Sequence, residues 1–189
     1  MDFHAFIWWN QHWFFYIINP LFTEFSYCKG ERSLDTINHN NIFFMALNVG
    51  QSAPNFTLKD SNGEDRTLQE LRGEGKLLLL FFPLAFTSVC TDEMCSTRDN
   101  MKFYEELNVR VAGISVDSFF TLKIFKEQNN INFPLLSDFN KEVSEAYGAL
   151  YDTFFGMKGV SKRSAFLIDE NGTVAYAEVL ENAGDLPDF

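Results

Sequence analysis

The sequence predicts an α/β fold, a central mixed β-sheet flanked by helices, and three observations predict it. A continuous apolar run, Leu77–Phe82, reads as a strand buried on both faces, the kind found in the middle of α/β sheets, and Val109–Val116 reads as a second buried strand. Segments of helical periodicity alternate with them. Two turn signals, Asp60-Ser61-Asn62-Gly63 and Asn171-Gly172, mark antiparallel hairpins near either end of this order. The expected sheet has parallel strands at its centre and an antiparallel edge.

Taken in order, Asn55–Lys59 alternates apolar and polar residues as a half-buried strand does, and Asp65–Leu68 returns from the first turn. Leu77–Phe82 opens after Gly73-Glu74-Gly75 and closes at Pro83. Val89 to Leu107 reads as one helix, with Met94, Met101, Tyr104 and Leu107 on a common stripe. Val109–Val116 is the second buried strand. Phe119–Gln128 is predicted helical and Phe133–Leu136 a short strand. Lys141–Tyr147 is predicted as a helix stopped by Gly148. Ala165–Ile168 and Thr173–Val179 flank the second turn. Leu186-Pro187-Asp188-Phe189 reads as the start of a further helix, Pro being at home in a first turn.

Composition changes sharply near Met45. Residues 1–45 hold thirteen aromatic side chains, all three tryptophans (Trp8, Trp9, Trp13), all three histidines (His4, His12, His39) and a single glycine. Phe3 to Thr23 has no Asp, Glu, Lys or Arg, yet Asn10, Gln11, His12, Asn19 and Pro20 argue against a membrane span. No basic n-region or small-residue cleavage site marks a signal peptide. Residues 1–45 are therefore expected to be a disordered extension or sequence upstream of the true start, with Cys28 incidental, and residues 46–189 the functional domain.

The 189-residue chain carries a net charge of −11, which repels phosphate and argues against nucleic acid as a partner. Three cysteines are too few for a stapled secreted scaffold and suit a reducing compartment, the cytoplasm. With no histidine in 46–189, Ser-His-Asp, Cys-His and His-ligated zinc chemistry would have to borrow from the aromatic extension. Gly73-Glu74-Gly75-Lys76 has the wrong spacing for a phosphate loop and precedes a strand rather than a helix. Cys90 and Cys95 cannot make a four-thiolate site, so no metal or cofactor is expected. Cysteine redox chemistry remains.

The stretch Phe81 to Cys95 places Cys90 where that chemistry is favoured. A buried strand ends at Pro83, a short loop follows, and Thr87 or Ser88 can cap a helix, which puts Cys90 in its first turn. Free backbone N–H groups and the positive end of the helix dipole favour a thiolate there. The plain alternative is a small buried hydrophobe, the state of most free cysteines.

Pro83, Thr87 and Cys90 spell P-x-x-x-T-x-x-C, and with them the chain resembles the peroxiredoxin (alkyl hydroperoxide reductase/thiol-specific antioxidant) family. The resemblance extends over nearly all of 46–189. It includes Gly50-Gln51-Ser52-Ala53-Pro54-Asn55-Phe56, Ala112-Gly113-Ile114-Ser115-Val116-Asp117 and Arg163-Ser164-Ala165-Phe166-Leu167-Ile168-Asp169. It implies a thioredoxin-like fold and a thiol-dependent peroxidase that reduces hydrogen peroxide and organic hydroperoxides, with Cys90 as the peroxidatic nucleophile. Thr87 would hydrogen-bond the peroxide, Pro83 would shield the pocket, and Arg163 would stabilise the thiolate and the leaving oxygen. Glu93 would orient the arginine, although a glutamate in a first helical turn needs no special reason to be there.

Cys95 resembles the resolving cysteine of bacterioferritin-comigratory or Q-type members, which close an intramolecular disulfide. Five residues along a helix set side chains roughly 140° and 7.5 Å apart, so the first turns would have to unwind. The loop Pro83-Leu84-Ala85-Phe86-Thr87 is closer to one-cysteine members of the alkyl hydroperoxide reductase E type, in which an external thiol resolves Cys90. A redox sensor that passes oxidation to a partner protein is a further alternative. The implied reductant is thioredoxin-like or a low-molecular-weight thiol, and the protein is expected as a monomer or homodimer. The resemblance also leads to the expectation that residues 46–189 lack the family's last C-terminal helix.

Overall fold

Successive residues of a strand face opposite sides of its sheet, so a run that is apolar throughout needs a core on each side. The computed structural model describes residues 47–188, and in it Lys76–Phe81 (β3) has both. Leu77, Leu79 and Phe81 pack with Leu68, Leu71, Val143 and Tyr147, while Leu78 and Leu80 pack with Cys90, Met94, Leu122 and Phe125. Residues 1–45, with the predicted extension and Cys28, lie outside the described residues.

The sheet has seven strands in the order β2-β1-β5-β4-β3-β8-β9. Val109–Ser115 (β4) runs parallel to β3 and to Leu135–Ser137 (β5). On one side Thr57–Asp60 (β1) and Asp65–Thr67 (β2) close the sheet antiparallel, and on the other Ser164–Ile168 (β8) and Val174–Val179 (β9) do the same. The expected parallel centre is present, with antiparallel strands at both edges. Leu68–Arg72 (α1) and Glu142–Ala146 (α5) cover one face, and Ser88–Asp99 (α2) and Phe119–Gln128 (α4) the other.

One expectation is corrected, and two elements are added to those expected. The single helix over 89–107 is two, α2 and Met101–Glu106 (α3), broken at Asn100 (φ −99°, ψ 8°), whose side-chain amide donates to the Ser96 carbonyl at 2.9 Å. Asparagine competes for backbone groups in this way, and the apolar stripe continues across the break and hides it. Helix α1 was not anticipated, although Thr67 and Glu70 form a reciprocal capping box at its start. A separate hairpin, Leu150–Phe154 (β6) with Met157–Ser161 (β7), was missed as well. Its turn places Phe155 (φ 48°) and Gly156 (φ 80°) at positive φ. Hairpin turns of that shape normally announce themselves with Asn-Gly or Asp-Gly, and phenylalanine in the first position conceals the signal.

Candidate active site

Where β3 ends, Phe82 donates its N–H to the Ile114 carbonyl at 3.0 Å and Pro83 follows, buried. The loop is pinned just beyond the end of β4 by the Ala85 N–H, which donates to Asp117 Oδ2 at 2.7 Å, and Ser115 Oγ donates to the same oxygen at 2.7 Å. Phe86 takes a positive φ of 66° and sets its ring edge-on against Phe125, centroids 5.2 Å apart. Strained backbone of this kind persists only where its surroundings hold it.

Thr87 has the extended backbone of an N-cap, but its hydroxyl does not cap the helix; it donates to the Leu84 carbonyl at 2.9 Å. With its proton placed there, the oxygen keeps its lone pairs free to accept. Cys90 is the third residue of α2 and is 1% exposed. N–H groups of a first turn have no partner within the helix, so they surround the cysteine with positive partial charge.

Arg163 enters from the two-residue link between β7 and β8 and is buried, a full charge inside the protein. Its Nη2 donates to Cys90 Sγ at 3.3 Å and to the Ala183 carbonyl at 3.0 Å, its Nε donates to the same carbonyl at 3.1 Å, and its Nη1 pairs with Glu93 Oε2. A guanidinium has five N–H groups, so one on Nη1 remains for a further acceptor.

Glu93 lies one turn beyond Cys90 and is buried, with Oε1 partnerless among the described residues. Burial pushes its carboxyl up from 4.5 to about 7, against the pull of Arg163. In the unfolded chain it ionises near 4.5, whereas the folded protein holds the proton up to about 7. Stability from this group is thus fully present below about pH 4.5 and is lost as pH rises through about 7. Thermal unfolding followed from pH 5 to 8 should show this decline, and Glu93→Gln should flatten it; an equally steep decline in the variant would assign it to another group.

Pro83, Thr87, Cys90 and Arg163 line one cavity of about 690 Å³. Tyr151, Phe154 and Phe155 from the β6–β7 hairpin form much of its apolar wall, and residues 181–184 close another side. Glu93 touches Arg163 from outside that cavity. Cys95 does not line it: half-buried farther along α2, its sulfur lies 3.6 Å from Arg98 Nη1 and 3.9 Å from Asn129 Oδ1. Sequence reasoning missed Tyr151 and Ala183. A backbone carbonyl 20 residues from Arg163 carries no sequence signal, because any residue type supplies it. Among the described residues no three His, Cys, Asp or Glu side chains cluster to hold a metal, and no helix is long and apolar enough to cross a membrane.

A family model described as the AhpC/TSA family matches residues 49–177. The alkyl hydroperoxide reductase E of Mycobacterium tuberculosis (strain ATCC 25618 / H37Rv) is 40% identical over 144 residues, 75% of this chain and 91% of its own. The putative peroxiredoxin bcp of Coxiella burnetii is 42% identical over 134 residues, 69% and 87% of the two chains. Among solved structures, the peroxidoxin BcpB from Mycobacterium tuberculosis superimposes with a TM-score of 0.68 at 31% identity, over 73% of this chain and 90% of that one.

Proposed function

The chain belongs to the AhpC/TSA family, the peroxiredoxins, and is a thiol-dependent peroxidase of thioredoxin-like fold; from that premise we propose that Cys90 is its peroxidatic cysteine. The contact between Arg163 Nη2 and Cys90 Sγ at 3.3 Å, at the head of α2 and on a cavity wall, carries the reading. The guanidinium and the first-turn N–H groups set positive charge around this sulfur, where a sulfur nucleophile is needed. The Cys90 sulfur attacks one oxygen of a hydroperoxide, forming an S–O bond as the O–O bond breaks. Cys90 becomes a sulfenic acid, and the leaving oxygen takes up a proton as water or an alcohol. Thr87 Oγ1 accepts the peroxide O–H, and the remaining Nη1 N–H of Arg163 meets the charge that develops on oxygen. Pro83 keeps water off the sulfur, and Glu93 holds Arg163 from behind.

Cys95 is proposed to resolve the sulfenic acid. Its thiol displaces the oxygen as water and leaves a Cys90–Cys95 disulfide, which a thioredoxin-like protein or a low-molecular-weight thiol reduces. Tethering at five residues gives the partner thiol a high effective concentration. The first turns of α2 must open for the sulfurs to meet, and helix termini open cheaply. The alternative, resolution by an external thiol, is supported by the unbroken α2 and by the seat of Cys95 beside Arg98 and Asn129. A reducing compartment, the cytoplasm, suits a chain with so few cysteines and a reactive thiol among them.

Intact mass after one equivalent of hydrogen peroxide separates these readings. Loss of two hydrogens is expected for the internal disulfide, whereas a stable gain of one oxygen assigns resolution to an external thiol. Cys95→Ser should keep one fast turnover and then stall with thioredoxin as reductant; undiminished cycling would make Cys95 a bystander.

A further inference from the structure

Two of the three donating nitrogens of Arg163 end on a single acceptor, the carbonyl of Ala183, which fixes the plane of the guanidinium. That carbonyl belongs to a turn that follows β9. Inside the turn, Gly184 donates its N–H to Asn182 Oδ1 at 3.1 Å, and Asp185 donates its own to the Asn182 carbonyl at 3.1 Å. The turn is exposed, with no buried apolar side chain to seat it. Its position relative to the arginine depends on polar tethers: the Leu180 N–H donates to the Arg163 carbonyl at 2.9 Å, and two side chains add to that backbone bond. The Tyr151 hydroxyl donates to the Glu181 carbonyl at 2.9 Å, with the Leu180 carbonyl 3.4 Å away, and Lys162 Nζ pairs with Glu181 Oε1 at 2.6 Å. The lysine ion pair is largely open to solvent on its glutamate side, so it contributes little. Of the two side-chain tethers the phenol is the stronger, because it reaches backbone rather than a mobile side chain.

We propose that Tyr151 is a positioning residue for peroxide reduction: its hydroxyl seats the 181–184 turn so that the Ala183 carbonyl aims Arg163 at Cys90 and at the incoming peroxide. This rests on the reading of Cys90 and Arg163 given above. The Tyr151 ring stacks on Phe154 with centroids 5.1 Å apart, and Tyr151→Phe keeps that contact while removing the tether. Misplacing a reacting group by about 1 Å can cost ~100-fold in rate, and a loosened backbone acceptor costs less.

The test is a double-mutant cycle on the second-order reaction of Cys90 with hydrogen peroxide, using wild type, Tyr151→Phe, Arg163→Lys and the double variant. Lysine keeps the charge beside Glu93 but lacks the paired donors that Ala183 orients. Tyr151→Phe is expected to slow the reaction about tenfold in the arginine background and hardly at all in the lysine background, with an unfolding midpoint close to wild type. A merely structural role would slow both backgrounds by the same factor. That result, or a wild-type rate for Tyr151→Phe, overturns the proposal. If Arg163→Lys reacts as fast as wild type, the reading of Arg163 fails first and Tyr151 has nothing to position.

Discussion

Cys90→Ser is expected to abolish peroxide reduction while the fold persists. Serine is close in shape and can still occupy the first turn of α2, but its hydroxyl stays un-ionised even beside Arg163, and a serine oxygen is not oxidised by peroxide to any counterpart of the sulfenic acid. Cys95, the other cysteine among the described residues, does not line the cavity, and Thr87 has committed its proton to the Leu84 carbonyl. Peroxide consumption with excess reductant should fall to the uncatalysed background, with an unfolding midpoint near wild type. Residual turnover above a few per cent of wild type would end the assignment of Cys90.

The second large effect is expected from Arg163→Met, and it has two parts that can be separated. The first is chemical. The variant removes the N–H on Cys90 Sγ and the one left for peroxide oxygen, and the loss of such a donor slows a reaction on the order of 10²–10³-fold. The second is structural. Arg163 and Glu93 form a buried pair, and truncating one member strands the other charge, typically at a cost of about 3–5 kcal/mol. Glu93 already holds its proton up to about pH 7 with the arginine present, so without it the carboxyl stays neutral to higher pH. Denaturant midpoints should therefore show the variant least destabilised near pH 5 and most destabilised near pH 8. Adding Glu93→Gln should recover stability at pH 8 and leave the single-turnover rate slow. Recovery of both would mean that Arg163 acts only as a structural partner of Glu93, and recovery of neither would mean that the pair is not what the variant breaks.

Much of the fold was legible because its signals are local. Leu77–Phe81 of β3 has no polar residue to spoil a two-sided burial, β4 is buried from Val111 to Ser115, and α4 spans the predicted 119–128 with Ser118 capping it. The Asn171-Gly172 turn needed a residue tolerant of positive φ, and Gly172 sits at 80°. Where a local cue was weak or contradicted, the reading failed. Asn100 interrupts a helix whose apolar stripe continues past it, and Phe155 occupies a turn position that usually goes to asparagine or aspartate.

At the site, the sequence by itself determined which atoms stand at the head of α2: a strand that must end at Pro83, a short loop, and a cysteine in the first helical turn. Those are constraints between neighbours, and backbone geometry enforces them within a few residues. What only the tertiary structure decided is how charge is arranged around that sulfur. Arg163 comes from 73 residues away, Ala183 from 20 residues beyond that, and Glu93 is buried where its carboxylate meets that arginine. The physical reason is that burial converts an ordinary glutamate and an ordinary arginine into a coupled pair, and burial is a property of the packed molecule that no stretch of the chain contains alone.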